Sequence, residues 1–133
     1  MTTNVHHVRD VDPRAVPHAD LYIFSSPGRM GKPIRSVRRF LERLNLPAGT
    51  KCAILTTEIA PRPDKKTGRT PTPEELEKWQ RVRPIMHEIL ERKGLVNVGE
   101  NVVYVNGMKG PLESVWEEKV ADFVASLPLP ATA

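Results

Sequence analysis

Four consecutive apolar residues, Leu21, Tyr22, Ile23 and Phe24, break into a polar, proline-punctuated beginning without alternating with polar ones. Such a run predicts a strand covered on both faces, central in a parallel sheet. Upstream, "TTNVHHVRDVD" alternates weakly, which predicts a short strand over residues 4–8 and then a connection broken by Pro13 and Pro17. After "SSPGRMGK", Pro33 suits the first position of a helix, where its missing N–H costs nothing. Ile34, Val37, Phe40, Leu41 and Leu44 then share one helical face, with Arg35, Arg38, Arg39 and Glu42 turned outward. "KCAILTT" repeats the first theme, an apolar strand ending in hydroxyl residues.

"EIAPRPDKKTGRTP" has neither period and reads as a loop. Thr72, Pro73 and Glu75 spell a capping box that opens a helix with Leu76, Trp79, Val82, Met86, Ile89 and Leu90 on its buried stripe. Pro84 inside that stripe predicts a kink near Arg83. Gly94 suits a left-handed C-terminal cap, with Leu95 packing back on the last turn. "NVVYV", residues 101–105, reads as a third buried strand, and residues 113–127 as a last helix burying Val115, Trp116, Val120, Phe123, Val124 and Leu127. Strands alternating with helices predict an α/β fold with right-handed crossovers and a mostly parallel sheet. One domain over residues 1–127, with a frayed tail at 128–133, fits a chain of 133 residues.

Composition adds a bias and removes some classes. A net charge of +4 favours anionic partners, but basic residues are interspersed with acids and aromatics make up only 5%, which argues against a nucleic-acid binder. The single cysteine, Cys52, cannot pair within the chain, and no apolar run reaches the length of a membrane span or secretory core. A cytoplasmic protein is the expectation.

In parallel sheets ligands gather beyond the carboxyl ends of the strands. Loops at residues 25–32, 56–70 and 106–112 are expected to share that rim. At this point the residues carry a resemblance. "ADLYIFSSPGRMGKPIRSVRRFLERL", "KCAILTT" and "VNGMKGPLESVWEEKVADFV" resemble the flavodoxin-like family, and Ser26-Pro27 followed by Gly31-Lys32-Pro33 is the most specific piece. The resemblance implies a three-layer α/β fold and an FMN-binding electron carrier rather than an enzyme with its own substrate. It places Ser25, Ser26, Pro27, Gly28, Arg29, Met30, Gly31 and Lys32 in one flavin-side loop and Thr56, Thr57 and Glu58 at the start of a second. Backbone amides in these loops would bond the ring edge.

Two departures from the family pattern shape the rival readings. The family's opening strand and phosphate-gripping loop have no counterpart here, so the fold is expected to be N-terminally truncated, with "LYIFSS" short of a neighbour. The loop also offers Gly28, Arg29 and Met30 where the family often puts an aromatic ring against the flavin. A flavin-free interaction module, or one half of a split flavoprotein, is therefore the alternative. Its partner would be a redox protein, a chain supplying the missing strand, or a second copy in a homo-oligomer. A flavin reductase using NAD(P)H is a third reading, for which the sequence shows no nicotinamide site.

Other features read as structural. His6 and His7 are adjacent on an expected strand and point apart, so with His18 and Asp20 they make no metal site. Cys52 belongs to an apolar run and reads as packing. "KKTGR" lacks the strand-to-helix context of a phosphate loop. Trp79 and Trp116 are expected in the core. Arg35, Arg38, Arg39 and Arg43 make a basic helix face that reads first as solvated and second as a dock for an acidic redox partner.

Overall fold

A computed structural model describes residues 3–63, 65–106 and 111–128. The chain is an α/β domain whose four strands, β1 (Tyr22–Arg29), β2 (Lys32–Pro33), β3 (Lys51–Ile59) and β4 (Val96–Val105), form an open, mostly parallel sheet in the order β2-β1-β3-β4. β1 runs parallel to β3 and β3 parallel to β4, while β2 folds back antiparallel on the tip of β1. Helices α1 (Arg35–Arg43), α2 (Pro73–Glu77) and α3 (Val82–Arg92) precede β4, and α4 (Trp116–Ser126) follows it.

The layers follow from which side chains meet. Phe24, Cys52 and Ile54 pack against Val37, Phe40 and Leu41 of α1 and Val82, Met86 and Leu90 of α3. Ala53 and Leu55, on the opposite side of β3, meet Phe123 and Leu127 of α4's end. Alternation along β3 therefore feeds two cores. The N-terminal residues 3–21 form no strand; a single 3-10 turn, Val8–Asp10, lies beside α1, with Val8, Val11 and Val16 packed on the larger core. Prolines at 13 and 17 deny that stretch a regular ladder.

Several expectations change. The segment from Ser25 to Arg29 continues β1, and the chain reverses in a tight hairpin at Met30 and Gly31, with φ of 52° and 75°. Two left-handed residues in sequence are the signature of a two-residue hairpin turn. Pro33 consequently lies in β2, and α1 begins two residues later, at Arg35, with Ile34 at its N-cap position. Thr56, Thr57 and Glu58 likewise belong to β3, and the loop starts at Ala60. Ile23 is 44% exposed, so β1 is covered on one face only.

The long expected helix is two. Thr72 accepts from the Glu75 backbone N–H at 3.2 Å, as the capping box requires, but α2 ends at Glu77 and α3 restarts at Val82. Pro84 then sits in α3's first turn, where no intrahelical donor is lost. Trp79 falls in the break and is 60% exposed rather than core. The other end behaves as read: Gly94 has φ 77°, its N–H bonds Glu91 O and that of Leu95 bonds Leu90 O, and Leu95 is buried. These two bonds are the Schellman closure. α4 starts at Trp116, leaving Val115 and Trp116 partly in solvent, at 44% and 38% exposure. Among the described residues no helix is long and apolar enough to cross a membrane.

Candidate functional site

Parallel pairing in register brings the carboxyl ends of β1 and β3 side by side, with Ser25 opposite Leu55, Ser26 opposite Thr56 and Pro27 opposite Thr57. Thr57 in turn faces Val103 of β4. Where α4 begins, beyond these ends, a cleft of about 250 Å³ opens on the α4 face of the sheet. Its floor is Ser25, Pro27, Leu55, Thr57 and Val103, with Ser26 and Thr56 also contributing. Leu112, Trp116 and Val120 form its wall. Among the described residues the lining is mostly apolar, with hydroxyl groups at the strand ends and no charged side chain.

Five of the eleven residues expected around a flavin thus line one cleft: Ser25, Ser26, Pro27, Thr56 and Thr57. The other six lie elsewhere. Gly28, Arg29 and Lys32 are paired in the hairpin, and Met30 and Gly31 form its turn, where Met30 is 95% exposed. That segment is held as structure rather than open as a cradle. Arg81 N–H bonds Gly31 O at 2.6 Å, and a Cβ on Gly31 would stand 1.9 Å from Trp79 O. Of the third expected rim loop, residues 107–110 lie outside the described residues; Asn106 N–H bonds Pro111 O across its base.

Glu58 points to the other face of the sheet. Its carboxylate is 2% exposed, accepts from Thr56 Oγ1, and pairs with Arg83 Nε at 2.9 Å. A buried carboxylate needs such partners to offset lost hydration. Ser26 shares that buried side, accepting from Ile34 N–H at 3.1 Å and donating to Pro27 O at 2.8 Å. These hydroxyls tie β1, β2 and the start of α1 together, so Ser26 shapes the cleft through its backbone.

Of the wall residues, Leu112 belongs to the third expected rim loop and does line the cleft, whereas Trp116 and Val120 were read as core. Trp116 reads as core by helical period, and only the late start of α4 turns it toward the cleft. Nearby, Glu113 is held below the ordinary carboxyl range: burial pushes it up, but the Tyr104 N–H and Lys119 Nζ, 3.0 Å away, outweigh that. Lys119 also lies 4.8 Å from the centre of the Tyr104 ring. This knot fixes the entry of α4 against β4. On the α3 face, His87 Nδ1 lies 2.6 Å from Glu100 Oε1, with Asn97 Nδ2 bonded to the same oxygen. Cys52 is fully buried, and its thiol is pushed up to about 11 by desolvation and then by the Glu100 charge. Burial and a raised thiol pKa both suit a packing residue.

Compared with known proteins, the chain matches no family model, no curated protein and no solved structure.

Proposed function

We propose that the chain is a flavodoxin-like electron-transfer module whose cleft takes the ring system of FMN. The observation that carries this reading is the convergence of Ser25, Pro27, Thr57 and Trp116 on one apolar slot at the carboxyl ends of parallel strands. Open α/β sheets bind ligands there. A flat aromatic ring needs apolar walls and a few hydrogen-bonding groups at its edge, which Pro27, Trp116 and the hydroxyls of Ser25 and Thr57 provide.

Size and charge define what fits. The cleft's 250 Å³ is below the roughly 300–1,000 Å³ of sites that enclose a whole ligand, so it suits the ring and not the ribityl phosphate. Among the described residues the lining supplies no cation for a phosphate. When bound, FMN supplies one- or two-electron chemistry, and the protein's part is to orient the ring and limit its contact with water. Binding is therefore expected to be carried by the ring, with riboflavin and FMN of similar affinity. Fluorescence titration of the folded chain with each flavin tests this. Saturable quenching by both supports the reading; absence of binding by either, with the fold intact, contradicts it.

A further inference from the structure

Met30 stands at the tip of the β1–β2 hairpin with φ 52° and is 95% exposed. A left-handed turn position is costly for a side chain of this size, and asparagine or glycine is its usual occupant. So exposed a side chain gains almost no packing within the fold to offset that cost. The residues on either side of the turn add a second cost. Arg29 and Lys32 are direct cross-strand partners, both exposed, so two like charges share one face of the hairpin. Among the described residues neither pairs with a carboxylate.

The segment beside the tip repeats the pattern. Trp79, in the break between α2 and α3, is 60% exposed, and Lys78 and Arg81 next to it are exposed cations, likewise without an ion pair among the described residues. The two segments are held together. Arg81 N–H donates to Gly31 O at 2.6 Å, and Gln80 Nε2 donates to Ile59 O at 3.0 Å, which ties the break to the end of β3. Backbone groups and Gln80 make these attachments. They leave the side chains of Met30 and Trp79, and four cations, free for something outside the fold.

Charge and polarity together define the occupant. Four unpaired cations suit an anionic surface. Duplex DNA or an acidic protein surface would meet the cations and give the Met30 thioether nothing apolar to enter. An anionic bilayer meets both needs. The thioether and the indole enter the interfacial layer, where tryptophan is favoured, while the long stems of arginine and lysine carry their charges to the head groups. Contact of this kind is peripheral and requires no helix that crosses the membrane.

We propose that the hairpin tip and the α2–α3 break together form a docking surface for the face of an anionic lipid bilayer. Docking depends on no flavin, so its test uses none.

The purified chain is sedimented with vesicles of phosphatidylcholine alone, and with vesicles of phosphatidylcholine and phosphatidylserine in equal parts. We expect binding to the second only, weakened as salt is raised, with a blue shift of tryptophan emission that Trp79→Ser removes. Lys32→Gln should weaken partition about fivefold, the share of one cation near the surface. Met30→Asn separates docking from folding: asparagine suits the turn, so the melting temperature should rise while the bound fraction falls. No binding by the folded chain, equal binding to both vesicles, or unchanged partition in Lys32→Gln and Met30→Asn would each overturn the proposal. So would retention by duplex DNA or polyglutamate and not by the vesicles.

Discussion

Glu58 and Arg83 join the middle strand of the sheet to the first turn of α3 through an ion pair of 2.9 Å in which the carboxylate is almost wholly buried. The pair lies directly beneath the strand ends that floor the cleft, because Thr57, between Thr56 and Glu58, faces the other way. Among the described residues, removing Arg83 leaves the buried carboxylate with only the Thr56 hydroxyl. Arg83→Met is expected to cost about 3 kcal/mol. The double variant with Glu58→Gln should recover part of that loss. Urea unfolding of the three proteins provides the comparison; a single variant as stable as the parent would show that the pair contributes nothing.

Gly31 is required where it stands. It has φ 75° and lies against Trp79 O, so Gly31→Ala must displace either the hairpin or the α2–α3 break. A loss of more than about 2 kcal/mol is expected. Gly68 has φ 71° but open space around its Cβ position, so Gly68→Ala should show only the left-handed strain of about 1 kcal/mol. Equal losses at the two sites, measured by thermal unfolding, would contradict the contact at Trp79.

These two positions show what could be read from the chain. The Gly94 cap and the α1 stripe are local: each is decided within a few residues, and the residues say so. The lengths of β1 and β3 are not local. "SSPGR" has the composition of a loop, yet it is drawn into the sheet by pairing with Thr56 and Thr57, which no window of sequence contains. Trp79 kept a helical period across a break, so periodicity alone placed it in the core. For the cleft, the strand ends were legible and the α4 wall was not, because Trp116 lies at a helix start that the pattern put three residues earlier.

Cys52 supplies a pH test. Its folded value of about 11 exceeds the ordinary 9.0, so above 9.0 the unfolded chain loses the proton first. Stability should fall as pH rises between those values. Cys52→Ala should remove that slope, apart from lysine and tyrosine effects common to both proteins. Urea midpoints at a series of alkaline pH values give the answer. In the native protein the thiol should also resist alkylation until denaturant is added.

Glu113 works in the acid direction. Its folded value lies below the ordinary 4.5, so its contribution is complete above 4.5 and is lost as pH falls through the folded value. Glu113→Gln should lower stability at neutral pH and flatten the acid limb of the stability curve. Thermal melts from neutral to acid pH measure both; an unchanged limb would mean that the bond to Tyr104 N–H does not form in solution.

The most direct test of the cleft as the flavin site is to follow backbone amide shifts in a labelled sample as FMN is added, for the parent chain and for Trp116→Ala. The account predicts saturable shifts concentrated at Ser25, Leu55, Thr57 and Val103, with affinity weakened up to about tenfold by the loss of the Trp116 ring. Shifts centred on the hairpin at Met30 and Gly31, or none at saturating FMN in a folded sample, would contradict it.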